Sequence, residues 1–180
     1  KFDVISSECA AKGVFIGPSS SGNPSNDVLI DNNTFSDIES DKKGGYALLI
    51  NSDQANDGLT VSNNEISALS GIWTNAIGLE GNTPNATVTK NTITNLNPTA
   101  FSGVGVHFQN NDDIDTVSVN RNSLDVGMSA EQPPAPNFAI ALHSSLDTTD
   151  EVDGTCNWYG DASGPRAVVD TSSASPTPLS

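Results

Sequence analysis

The stretch VTKNTITNL, Val88 to Leu96, decides how the rest of the chain is read. Its phrase runs apolar, polar, any residue, Asn, polar, apolar, and it returns at Ile30 to Phe35, Val61 to Ile66 and Val119 to Leu124. Anchored on the Asn, the copies fall at Asn33, Asn64, Asn91 and Asn122, with a divergent last copy at Asn157. The intervals, by subtraction of residue numbers, are 31, 27, 31 and 35. A period of about 20 to 50 residues marks a solenoid or an array of stacked units.

Each phrase has an apolar partner upstream: GVFIG from Gly13, ALLIN from Ala47, AIGLE from Ala76, GVGVH from Gly103 and AIALH from Ala139. These alternate with a period of two, as strands do, and place Val14 and Ile16, Leu48 and Ile50, Ile77 and Leu79, Val104 and Val106, and Ile140 and Leu142 on one face. The phrase supplies a second strand, with Val28 and Ile30, Leu59 and Val61, Ala86 and Val88, and Val117 and Val119 inward. After the Asn comes a third apolar pair: Phe35 and Ile38, Ile66 and Leu69, Ile93 and Leu96.

Three short strands per period, each stacked about 4.8 Å from its equivalent in the next turn, describe an all-β right-handed parallel β-helix. About five coils and a partial N-terminal one are expected on this period. A leucine-rich repeat needs leucine at fixed positions that this chain lacks; a β-sandwich is the remaining alternative. The Asn column is expected to form the sharp bend before the third strand, because Asn tolerates the left-handed region, and to hydrogen-bond from coil to coil. Residues 1–166 are assigned to the β-helix and residues 167–180, rich in Ser and Pro, to a tail or linker.

The phrases NNTF, NNEI, KNTITNL and RNSL resemble the repeats of the pectate-lyase-like right-handed β-helix superfamily. The closing CNWYGDASGPR, Cys156 to Arg166, resembles a segment that often ends such helices. This resemblance implies the fold over about Gly13 to Pro165. It does not fix an activity, because the superfamily holds lyases, hydrolases, epimerases, tailspikes and non-catalytic surface proteins.

Composition narrows the functions. The chain has 22 acidic residues against 7 basic ones, a formal charge of −15. That argues against a nucleic-acid partner, whose phosphates need clustered Lys and Arg. Scarce Lys beside abundant Asp and Thr resembles proteins of very salty media, where screening removes self-repulsion; an ordinary acidic secreted protein is the alternative. Hydrophobic residues make up 35% of the chain, which fits a thin, repetitive core. No run approaches the roughly 18 apolar residues of a membrane span. The chain begins without Met or a signal-like segment, so a mature or partial chain of an extracellular or cell-surface protein is expected. The two cysteines, Cys9 and Cys156, lie about five coils apart and are not expected to pair.

Four sets of residues are candidates for chemistry. The outward column of the first strand is read as Gly17, Asn51, Glu80, His107 and His143, which would stack Glu80, His107 and His143 as a binding site or acid/base group. Lys90 and Arg121 precede the Asn on consecutive coils. In lyases of the resembled superfamily a Lys or Arg abstracts the proton next to a uronate carboxylate, and this implies a catalytic role for the pair. Asp112, Asp113 and Asp115 in NNDDID, and the segment DTTDEVD from Asp147, offer oxygen ligands of the type Ca²⁺ prefers, although neither has the spacing of a defined calcium loop. Thr60 and Ser62, Thr87 and Thr89, and Ser118 and Asn120 form a regular outward face that fits a sugar chain, ice or a neighbouring solenoid module; Thr is also what exposed strands favour.

The reading that joins these observations is an extracellular, non-catalytic β-helix module that binds polysaccharide or its neighbours. The alternative is a polysaccharide lyase, or related carbohydrate enzyme, acting on uronate polymers. A groove lined by aromatics and paired acids would favour the enzyme, and smooth ladders the module.

Overall fold

A computed structural model describes residues 1–17, 26–52, 57–109, 116–127, 137–142 and 152–160. Among these residues the chain is all-β. Its strands are β1 (Phe2–Ser7), β2 (Ala11–Ile16), β3 (Leu29–Asp31), β4 (Thr34–Ser40), β5 (Gly45–Ser52), β6 (Thr60–Ser62), β7 (Glu65–Gly71), β8 (Thr74–Gly81), β9 (Thr87–Thr89), β10 (Thr92–Pro98), β11 (Gly103–Gln109), β12 (Ser118–Asn120), β13 (Ser123–Asp125) and β14 (Phe138–Leu142). No helix among them is long and apolar enough to cross a membrane.

Every strand pair is parallel, and three sheets result. Sheet A has the order β1-β4-β7-β10-β13, sheet B the order β2-β5-β8-β11-β14, and sheet C the order β3-β6-β9-β12. The chain visits C, A and B in turn, so the molecule is a parallel β-helix. It has four complete turns. They are flanked by β1 and β2 at one end and, at the other, by the bridges of Asp153 to Ser118 and Trp158 to Ser123. The expected five coils are thus four with partial coils at both ends. The tail at 167–180 lies outside the described residues.

The bends have a common cause. At the corner between sheets C and A, Asn32, Asn63, Lys90, Arg121 and Cys156 all have positive φ; at the corner between B and C, Asp27, Gly58 and Asn85 do. At these two corners one left-handed residue turns the chain sharply, and Asn, Asp and Gly adopt this conformation at least cost. The left-handed residue at the C–A corner is therefore the one before the repeated Asn, which corrects the expectation that the Asn itself makes the bend. A third left-handed column, Asp37, Ala68 and Asn95, interrupts sheet A. It explains why the inward residues there are three apart rather than two: Phe35 and Ile38, Ile66 and Leu69, and Ile93 and Leu96 are all buried on either side of it.

The repeated Asn points into the core and forms a ladder. Asn64, Asn91 and Asn122 are each no more than 2% exposed. The Oδ1 of Asn91 accepts from both the backbone N–H and the Nδ2–H of Asn64, at 3.0 and 2.9 Å. In turn the backbone N–H and Nδ2–H of Asn91 donate to Oδ1 of Asn122, at 2.9 and 3.0 Å. The second Nδ2 hydrogen goes to the Val61 carbonyl of the previous coil, at 2.9 Å. Each central amide thus uses both donors and both acceptor lone pairs, as a buried side chain must. The ladder starts at Asn33, which donates to Asn64, and closes at Asn157. There Nδ2 donates to the Val119 and Gly154 carbonyls, and the Tyr159 hydroxyl also donates to Gly154.

Around the ladder the core is a stack of like residues: Phe35, Ile66, Ile93 and Leu124 from sheet A, Val61, Val88 and Val119 from sheet C, and Leu48, Ile77, Val106 and Ile140 from sheet B. Sheet B departs from the expected register in one coil. Val106 and Phe108, not Val104 and Val106, lie over Ile77 and Leu79. Val104 faces outward and packs with Phe138 and Ala141 in a separate cluster. An alternating pattern is unchanged by a shift of two, so GVGVHFQ has two plausible alignments. The pairing adopted seats the large Phe108 in the core at 0% exposure.

Candidate functional site

Sheet B carries one outward row on each strand. The register stacks Lys12, Tyr46, Asn75, Val104 and Phe138 in one column, Phe15, Leu49, Gly78, His107 and Ala141 in a second, and Asn51, Glu80 and Gln109 in a third. Tyr46 and Leu49 share this face although three residues apart, since a Cβ built at Gly78 would touch both. The residues between them, Ala47, Ala76 and Ala139, are buried in the core, and Gly105 occupies the same column.

Glu80 and His107 therefore both sit on the outer face of sheet B, but in different columns. Glu80 stacks with Gln109, and its Oε2 accepts from Asn51 Nδ2 at 2.7 Å. His107 lies beside Gly78, and its Nδ1 is 3.1 Å from the Asn75 amide nitrogen. His143 lies outside the described residues. So do Asp112, Asp113 and Asp115, and all of DTTDEVD except Val152 and Asp153. Among the described residues, no three His, Cys, Asp or Glu side chains gather as a metal site.

Lys90 and Arg121 occupy equivalent left-handed positions on consecutive coils, between the paired residues Thr89 and Asn120 and the paired Thr92 and Ser123. Both are exposed. Their corner joins sheets C and A, whereas Glu80 and His107 stand on the strands of sheet B. The structure thus does not bring them to one edge with Glu80 and His107.

The outward residues of sheet C form the expected regular face, with Thr60, Thr87 and Ser118 in one column and Ser62, Thr89 and Asn120 in the next. Part of this polar row is bonded within itself. Thr89 Oγ1 donates to Asn120 Oδ1 at 3.1 Å, and Asn120 Nδ2 donates to Ser118 Oγ at 2.6 Å. A carboxylate stands at each end. Asp31 accepts from Ser62 Oγ and Asn63 Nδ2, which hold its carboxyl below the usual range, with a smaller contribution from the charge of Lys90. Asp153 is likewise lowered, first by the hydroxyl and backbone N–H of Thr155.

An aromatic group at the corner between sheets A and B is absent from the sequence reading. Trp73, in the turn between β7 and β8, donates its Nε1–H to the Tyr46 hydroxyl at 3.1 Å. Its indole lies against Gly44, where a Cβ would collide with it. Phe101, in the equivalent turn one coil on, meets Trp73 edge to face, with ring centroids 6.4 Å apart and planes at 61°. Phe101 is 60% exposed, whereas Tyr46 is buried. Burial, the largest cause, pushes the Tyr46 phenol up, with Glu80 adding to it and the bond from Trp73 opposing it. The available signal was positional: GGY, GIWT and AFSG each run into the start of a sheet B strand.

Comparisons with protein-family models, with curated proteins and with solved structures gave no match.

Proposed function

We propose that the chain is a non-catalytic β-helix module of an extracellular or cell-surface protein, which presents its faces to a polysaccharide or to neighbouring solenoid modules. The observation that carries this reading is the regular row of small polar side chains on sheet C, where Thr89, Asn120 and Ser118 bond to one another. Elimination from a uronate needs a base at the ring and a cation on the carboxylate of the same sugar, within hydrogen-bond reach of each other's target. Lys90 and Arg121 share one corner, but Glu80 and His107 stand on another sheet, so the cations, the acid and the imidazole do not join in one site. That face of sheet C, with Thr60, Thr87 and Ser118 in one column and Ser62, Thr89 and Asn120 in the next, is the regular ladder a module needs.

The pectate-lyase-like superfamily remains the family this reading favours. Its support is the repeat phrases and the β-helix they build.

The test is to incubate the protein with uronate polymers and follow unsaturated chain ends by ultraviolet absorbance, while measuring its retention on insoluble polysaccharides. Retention without unsaturated product is expected. Product formation by the wild type that disappears in Lys90→Ala/Arg121→Ala would establish the lyase reading instead.

A further inference from the structure

We infer that the corner between sheets A and B, with Trp73 and Phe101 as its stacking surfaces, is a binding site for a neutral glycan. The inference rests on the module reading and names the site and ligand class within it.

Three observations carry it. First, the indole is held in place rather than packed into the core: Gly44 lies under it and Tyr46 accepts its N–H. An aromatic surface fixed before the ligand arrives loses little freedom on binding, and its face matches the apolar face of a pyranose. Second, Phe101 places a second ring one coil further on, mostly in solvent, where burial does not account for it.

Third, the adjoining face of sheet B offers donors and acceptors of the kind sugar hydroxyls use. Glu80 and Asn51 are half-buried and bonded to each other, as are His107 and the buried Asn75. Such paired groups are oriented before a hydroxyl reaches them. A sugar with one apolar face and a hydroxyl rim fits an aromatic corner that gives way to an oriented polar row.

Charge selects the class. The molecule bears −15, and its field opposes the approach of a polyanion. Three cations lie near the corner, Lys12, Lys42 and Lys43, and three carboxylates, Glu8, Glu39 and Asp41, lie there with them, Lys42 pairing with Glu8 at 3.1 Å. With the two signs balanced, the corner offers no net positive charge for carboxylated or sulfated sugars.

The experiment uses the two tryptophans. In a Trp158→Phe background, indole emission reports Trp73 alone. The protein is titrated with cellohexaose and mannohexaose as neutral probes and with hexagalacturonate as the anionic one. A saturable emission change with a neutral hexamer is expected, together with about a tenfold loss of affinity in Phe101→Ala, the scale of one lost aromatic contact. Phe101 is exposed, so this variant keeps the fold, which circular dichroism checks. Binding of a neutral hexamer that Phe101→Ala leaves unchanged overturns the site while the module reading stands. Preference for hexagalacturonate overturns the ligand class. Binding of none of the probes, by emission and by calorimetry, overturns this inference, while retention on insoluble polysaccharide separately decides the module reading.

Discussion

At the residue scale, the repeated Asn does a different job from its neighbour. The residue before it turns the chain, while the Asn satisfies the backbone inside the turn, which explains why the turning position tolerates Asn, Lys, Arg and Cys but the ladder position is Asn in every copy. Asn91→Ala leaves the Asn64 side chain and backbone N–H without their acceptor in a dry interior. It should cost about 3 kcal/mol. Asn97→Ala, which removes only an exposed bond to the Asn95 carbonyl, should cost under about 0.5 kcal/mol. Chemical denaturation of the two variants compares them, and equal midpoints would count against the ladder. A gain is expected at Ala68, which holds φ +55° where the equivalent residues are Asp37 and Asn95. Ala68→Asn should raise stability by about 1 kcal/mol, the cost of left-handed backbone for a residue with a plain Cβ. An unchanged or lower denaturation midpoint would place the strain elsewhere.

At the element scale, the strands were legible where the pattern had a landmark and ambiguous where it had none. The Asn fixed the register of sheets C and A, so the columns of Val61, Val88 and Val119 and of Ile66, Ile93 and Leu124 follow from the sequence. Sheet B has no such marker, and alternation alone allowed the two-residue slip that set His107 against Glu80. Trp73 and Phe101 were missed because they lie in turns, where periodicity carries no information. Sheet C gives this scale its test through Asp31. Hydrogen bonds from Ser62 and Asn63 favour the charged carboxylate, so the folded pKa lies below the unfolded one, about 3.9. The associated stabilisation is present above that unfolded value and is lost as pH falls through the folded one. The Asp31 carboxyl should titrate below about 3.9 by NMR, and Ser62→Ala should move it upward. A midpoint at or above the ordinary value would mean the two donors do not hold the charge.

At the scale of the whole molecule, a thin core carries a large like charge. Self-repulsion at −15 opposes the compact state, and screening at a Debye length of about 3 Å in 1 M salt removes most of it. The melting temperature should therefore climb steeply as KCl replaces dilute buffer. A flat response would show that the acidic surface is not limiting. Cys9 and Cys156 are both free and exposed, in keeping with their places in the first and last coils. The arrangement proposed to matter for function is the placement of groups around the cross-section: cations at the C–A corner, a regular row of small polar side chains on sheet C, and the aromatic corner with its oriented polar rows on sheet B.

That placement is tested most directly by an NMR titration of the wild-type protein with cellohexaose. The account predicts saturable shifts at the Trp73 indole N–H and the amides of Phe101, Glu80 and His107, with Lys90 and Arg121 unmoved and the sugar intact. Shifts centred on Lys90 and Arg121, or breakdown of the sugar during the titration, would contradict it.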